Sequence, residues 1–381
     1  MHVTQVAPYP VYPPKSGGSK RIHGLISSDS DIEVVRYVQS SVTEDGLKGA
    51  KLSPSPTITE LRDTSLLQSA TGAVTGWVGL PLLHLSPVLQ LRRPTQLVRE
   101  LARTDIVVVE HPWQFPYINK AAPENTPIVY SSHNVESKLV GDKTSFDRFV
   151  RSRVARLEQQ VLRAADAVVV VSERDRQMYQ NMHETVQDIH ILPNGVPIEA
   201  VSSEATAKER LSQGLFVGSD HPPNIEAVEN ICRIARADET PEDFVFNIVG
   251  TVCEKFNHKC VPESVRLHGF VDSIDSLYKQ CGVGLNPIMS GSGSNVKLAE
   301  YLARGLVVVS TEFGTRGYSL SDGDHLFVAT PEEFATTLRQ LLDNPEKATA
   351  VAEHGRQRVA EQYTWENLSY RYLSVLKEIT K

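Results

Sequence analysis

A chain of 381 residues is too long for one ordinary hydrophobic core, so two domains are expected. Its net charge of -7 argues against a nucleic-acid footprint, and its 40% hydrophobic content is that of a globular protein. The four cysteines, Cys232, Cys253, Cys260 and Cys281, make no CxxC pair and no zinc spacing, which points to buried reduced thiols.

Met1 leads directly into a strand-like run with no signal peptide. No stretch reaches the roughly 18–20 continuous apolar residues of a membrane span, so a cytoplasmic protein is expected. Short β-branched runs alternate with helical patterns, the signature of a parallel sheet covered on both faces. The first half predicts strands at His2–Val6, Ile32–Val38, Ile106–Val109, Ile128–Ser131, Ala167–Val171 and Ile189–Leu192. Helices are predicted at Gly18–Ser27, Phe146–Ala164 and Glu173–Met182. Pro197 to Arg210, polar and poor in large apolar residues, reads as a linker. Beyond it come strands at Gly214–Val217, Phe244–Val249, Val265–Leu267, Val283–Leu285 and Leu306–Ser310. Helices Asn224–Ala235, Ser273–Gln280 and Asn295–Arg304 separate them, and a helical tail ends with Trp365–Ile379. The resulting plan is a domain over 1–200, a second over 201–360 and a terminal helix over 361–381.

Open α/β sheets bind ligands beyond the carboxyl ends of their strands. The candidates in those places are Gly17-Gly18, His111, His133-Asn134, Asn194-Gly195, Gly218 and the loop Ser290-Gly291-Ser292-Gly293-Ser294. The last is the most informative. Small residues between a strand and a helix leave backbone N–H groups uncovered, a ready phosphate site. Lys297 follows in the first helical turn, where a cation opposes the helix dipole unless an anion is also there. Glu300 projects from the same side, with Val296, Ala299, Leu302 and Ala303 on the apolar side. A solvated Lys and Glu beside a flexible loop is the plainer alternative. Likewise Gly17-Gly18 can be a simple turn, His133-Asn134 a helix cap, and His111-Pro112-Trp113 loop packing.

Taken in order, these blocks resemble the GT-B glycosyltransferases of the retaining family 4 group, over essentially the whole chain. Pro13-Pro14-Lys15-Ser16-Gly17-Gly18 is similar to the family's glycine loop, and Ser132-His133-Asn134-Val135-Glu136 to its S-H-N turn. Pro193-Asn194-Gly195-Val196 is similar to its lead into the linker, and Gly218 to Asn224 to the opening of its nucleotide-binding domain. Gly291 to Glu300, followed by Tyr301 to Thr311, is the most specific block. The resemblance implies two Rossmann-like α/β domains facing across a cleft, with C-terminal helices packing back toward the first domain. It implies transfer of a sugar from a nucleotide-sugar donor to a glycan or polyprenyl-linked saccharide, with retention, without a metal and without a further cofactor. In that reading Lys297 and the amides of Gly293 and Ser294 meet the diphosphate, Glu300 the ribose, and His133 a donor-sugar hydroxyl. Gly17, Gly18, Asn194 and Gly218 border the donor, and His111 and Trp113 the acceptor.

The chain departs from the family in two places. The first of two glutamates usually spaced by seven residues falls on Ser292, and Ser292 or backbone N–H groups near it would hydrogen-bond the sugar in its stead. The usual basic residue after the Gly218 strand is also missing, which leaves Lys297 as the main cation. Alternatives of other kinds are a sugar-nucleotide epimerase or hydrolase and a non-catalytic partner subunit, because fold alone does not fix function. Two DxD patterns occur, Asp29-Ser30-Asp31 and Asp322-Gly323-Asp324, neither following a first-domain strand. Finally, Thr71 to Leu97 is apolar but broken by Gly79, Pro81 and Pro87, and ends near Arg92-Arg93. It reads either as packing on the first sheet or as an interfacial segment for peripheral association with the inner face of the cell membrane.

Overall fold

The computed structural model describes residues 1–26, 31–183, 188–202, 208–256 and 261–381. Asp29-Ser30, Cys260 and the middle of the predicted linker lie outside them. The chain divides into two units, Met1–Pro193 with Leu368–Lys381, and Asn194–Asn367. The crossing falls at Asn194 because that residue is tied into the second unit. Its backbone N and its Nδ2 both donate to Ser294 Oγ, at 3.1 and 2.8 Å, and its carbonyl accepts from the Tyr318 hydroxyl at 2.9 Å.

The first unit holds β1 (His2–Ala7), β2 (Glu33–Ser40), β3 (Ala50–Ser55), β4 (Ile58–Thr64), β5 (Ile106–Glu110), β6 (Ile128–Ser131), β7 (Ala167–Val170) and β8 (Ile189–Ile191). They form one sheet in the order β3-β4-β2-β1-β5-β6-β7-β8, parallel except for β3, which runs against β4. The sequence reading missed this edge hairpin. Ala50–Ser55 is a polar strand containing Pro54 and has no buried face, so it carries little of the apolar signal of a strand. The central strands are fully buried, which is why they read as continuous β-branched runs.

Thr71 to Leu97, read as broken by Gly79, Pro81 and Pro87, falls largely within the helices Leu66–Trp77, Leu85–Arg92 and Thr95–Leu101, with Gly79 and Pro81 between the first two and Pro87 inside the second. Ser65 caps the first by accepting from Gln68 N. Leu85, Val88, Leu89 and Leu97 are buried, whereas Trp77 is 89% exposed and Leu91 76%. The segment is therefore half core and half surface.

The second unit holds β9 (Gln213–Val217), β10 (Val245–Val249), β11 (Val265–Gly269), β12 (Val283–Asn286), β13 (Val307–Ser310) and β14 (Phe327–Val328), all parallel, in the order β11-β10-β9-β12-β13-β14. Its core is built on Phe216, Phe244, Phe246, Leu285 and Val309 under the helix Pro222–Ile234. The last helix, Trp365–Ile379, passes from the second unit into the first, where Arg371 donates to the Ile191 carbonyl. Cys232, Cys253 and Cys281 are buried and form no disulfide.

Candidate functional site

In the second unit, β12 ends in Asn286 and the small-residue loop leads to the helix Val296–Ala303. Gly293 has φ of 65°, a left-handed conformation that side chains with a Cβ resist. The loop is anchored from below by amides. Asn295 Nδ2 donates to Asn286 Oδ1 at 2.9 Å and to the Gly314 carbonyl at 3.0 Å, and Asn286 Nδ2 donates to Ser310 Oγ at 2.9 Å. All three side chains are buried, so the helix start is held fixed by satisfied polar groups.

Lys297 lies half-buried on that first turn. Its Nζ donates to Asn224 Oδ1 at 2.6 Å and sits 4.4 Å from the centre of the Phe216 ring. Burial, then the charge of Arg316, push its pKa down to about 7, with Glu300 acting the other way. Arg316 is the residue the sequence reading missed. Its Nε donates to the Gly293 carbonyl at 3.0 Å and one terminal nitrogen to the Ser292 carbonyl at 3.4 Å, so the guanidinium lies along the loop. It follows β13 in Gly314-Thr315-Arg316-Gly317, and the end of that strand was the signal available. Asn224 was also missed as a partner of Lys297. Two cations thus gather at one helix start, an arrangement whose mutual repulsion a bound anion relieves.

Among the other predicted residues, Ser292 is exposed, and Ser294 joins Asn194 as described. Glu300 is half-buried one turn beyond Lys297. A Cβ on Gly218 would stand 2.9 Å from the Phe216 ring and 3.1 Å from Asn224 Cβ, so its missing side chain lets β9 turn close under Lys297's two supports.

In the first unit, His133 Nε2 is 2.9 Å from Glu110 Oε2, and its ring stacks on His111 with centroids 4.1 Å apart. His111 has φ of 63°, rare for a residue with a side chain, and both its nitrogens are engaged. Nδ1 meets Glu136 Oε1 at 2.8 Å and Nε2 meets the Tyr9 hydroxyl at 3.0 Å. Burial, then the neighbouring His111, hold the His133 pKa well below the usual histidine range, against the pull of Glu110. Burial alone would raise the Glu110 pKa, but the hydrogen bond from His133 leads the effects that bring it below the usual carboxylate value. Glu110 is therefore an anion beside a neutral imidazole.

Gly17 and Gly18 begin the helix Gly17–Leu25, capped by Ser16. A Cβ on Gly17 would meet nothing within 4 Å, whereas one on Gly18 would collide with the Tyr9 hydroxyl and stand 3.6 Å from His133 Nδ1. Gly17 faces open space and Gly18 makes room for the Tyr9 hydroxyl. Trp113 is 4% exposed and packs with Leu85, Val150 and Val154. It also lines a pocket of about 290 Å³ with Val78, Leu80, Glu136 and Phe146. The sequence reading placed Trp113 without seeing this pocket, whose walls come from distant segments.

Among the described residues no group of three or more His, Cys, Asp or Glu is placed to hold a metal ion. Asp322 and Asp324 serve a turn, accepting from Val328 N and pairing with His354 respectively. No described helix is long and apolar enough to cross a membrane.

Residues 60–200 match the family model described as Glycosyltransferase Family 4, and residues 213–344 match Glycosyl transferases group 1. No curated protein matches the sequence. Among solved structures, the sucrose-phosphate synthase of Thermosynechococcus elongatus covers 99% of this chain and 98% of its own, at 13% identity and TM-score 0.71. HepE of Anabaena in complex with UDP and glucose covers 99% and 100%, at 12% identity and TM-score 0.67. The E. coli structure described as trehalose-6-phosphate bound with UDP-2-fluoro glucose covers 100% and 99%, at 13% identity and TM-score 0.64. At such identities the likeness shows the shared GT-B fold.

Proposed function

The chain belongs to the glycosyltransferases, with family 4 and group 1 domains, and from that premise we propose that its donor is a uridine diphosphate sugar. The observation that carries the reading is Lys297, a depressed amine at a helix start with Arg316 beside it. Breaking a nucleotide–sugar bond releases a diphosphate whose growing charge must be met at the transition state. Lys297, Arg316 and the amides of Gly293 and Ser294 meet that charge, and Glu300 accepts from the ribose hydroxyls. The UDP and UDP-sugar analogue named with the Anabaena and E. coli structures support the choice of nucleotide.

The transfer proceeds with retention and without a metal. The acceptor attacks on the leaving-group face, and the departing phosphate oxygen takes its proton, so a strong protein base is unnecessary. His133, neutral in its surroundings, orients a sugar hydroxyl instead. The acceptor is a glycan or lipid-linked saccharide, its apolar part accommodated by the pocket at Trp113 and Phe146. Exposed Trp77 and Val78 beside that pocket support a peripheral place at the membrane surface.

Thermal shift with a panel of nucleotide sugars, followed by turnover, tests the reading. A donor at about 100 times its dissociation constant adds about 2.7 kcal/mol of stability. UDP-sugars are expected to stabilise most and to turn over in EDTA. Stabilisation by another nucleotide class, or activity lost in EDTA and restored by Mg²⁺, contradicts the nucleotide and the metal-free steps respectively.

A further inference from the structure

A line of buried polar side chains crosses the first sheet and ends at His133. Glu60 on β4 is the register partner of Arg36 on β2, and Arg36 that of Gln5 on β1. Gln5 pairs with Val108 on β5, and Glu110 lies two residues further on the same face, beside Ser131 at the end of β6. The bonds follow the line. Arg36 Nη1 meets Glu60 Oε2 at 3.5 Å, and its Nε donates to Gln5 Oε1 at 2.8 Å. Gln5 Nε2 donates to Glu110 Oε1 at 2.6 Å, and Glu110 Oε2 meets His133 Nε2 at 2.9 Å. Arg36, Gln5 and Glu60 are fully buried and Glu110 is 1% exposed.

The direction of every bond is forced from one end. A guanidinium donates and never accepts, so the carbonyl of the Gln5 amide must face Arg36 and its NH₂ must face Glu110. An ionised Glu110 accepts at both oxygens, which requires the proton of His133 to sit on Nε2. We propose that Glu110, oriented through Gln5 by Arg36, is a positioning residue that fixes His133 as the Nε2–H tautomer. Its Nδ1 lone pair then faces the start of the helix at Gly18. In consequence His133 meets a ligand hydroxyl as a hydrogen-bond acceptor. This last step rests on the proposed role of His133 in the transferase; the tautomer itself does not.

Glu110→Gln discriminates sharply. The Gln5 NH₂ group claims the new carbonyl, which leaves the new NH₂ facing His133 Nε2. That nitrogen must then accept, and the proton moves to Nδ1, removing the acceptor from the side that faces Gly18. Replacing Gln5 by Met in the same chain frees the amide at position 110 to turn over and restores Nε2–H. The experiment is ¹⁵N NMR of the histidine-labelled full chain, with His133 assigned by its absence in His133→Ala. Nε2–H is expected in the wild type and in Gln5→Met, Nδ1–H in Glu110→Gln, and a return to Nε2–H in the double variant. Turnover is expected to fall on the order of a hundredfold in Glu110→Gln, with a smaller change in KM for the donor, and to recover partly in the double variant.

A wild-type spectrum showing Nδ1–H overturns the proposal at once, even if Glu110→Gln does not fold. So does a Glu110→Gln protein that keeps Nε2–H. If the tautomers follow the expected pattern while His133→Ala turns over normally, the relay stands and the role of His133 in the reaction fails.

Discussion

The two units hold their candidate residues by opposite means. In the first, each carboxylate has a hydrogen-bonding partner: Glu110 has the neutral His133, Glu136 has His111, and Glu60 has Arg36. In the second, like charges gather: Lys297 feels Arg316, and its hydrogen-bond partner is the neutral amide of Asn224. A network satisfied within itself keeps a shape; a gathering of cations at a helix start favours an anion. The first unit is thus built to position and the second to bind charge.

The contrast breaks most visibly at Lys297. Lys297→Ala is expected to lower turnover about 10²–10³-fold, the usual cost of removing one group that stabilises transition-state charge. A folded variant with unchanged transfer rates ends the diphosphate assignment. Glu300→Gln is expected to weaken nucleotide binding about tenfold, since a hydrogen bond to a charged group contributes about 1.5–3 kcal/mol. Calorimetry with UDP measures it, and equal affinity contradicts the ribose contact.

In the first unit the expected loss is of stability. Gly18→Ala drives a methyl group against Tyr9 and through it the His111 pair, with a cost of about 1–3 kcal/mol, read as a lowered denaturation midpoint. A smaller effect follows from the neutral His133. Its folded pKa is depressed, so its contribution is complete above the unfolded value of about 6.5 and is lost as pH falls below that. Acid unfolding is expected to be steeper in the wild type than in His133→Asn; identical profiles contradict a neutral buried imidazole.

How much of this was legible in the sequence follows the same division. The loop at Gly291–Gly293 and Lys297 are near neighbours in the chain, so strand, turn and helix signals placed them. The core strands were legible because burial on both faces leaves continuous β-branched runs. Arg36, Gln5 and Glu110 were not. A polar residue within a strand reads as a solvent-facing position, and only the register of β4, β2, β1 and β5 shows that these side chains meet. Arg316 escaped because its loop returns to Gly293 from 23 residues away, a distance that no local periodicity encodes.

The central claim is that Lys297 is a depressed amine waiting for a diphosphate, and proton uptake on binding tests it directly. Above its folded pKa of about 7 the free amine is largely neutral, and a bound diphosphate raises that pKa and recharges it. Titration of UDP by calorimetry near pH 8, in buffers of different ionisation enthalpy, is expected to show uptake approaching one proton. The uptake should vanish in Lys297→Ala, and wild-type affinity should fall as pH rises from about 7 toward 10. Binding of UDP with no proton uptake, and with equal affinity in wild type and variant, contradicts the account.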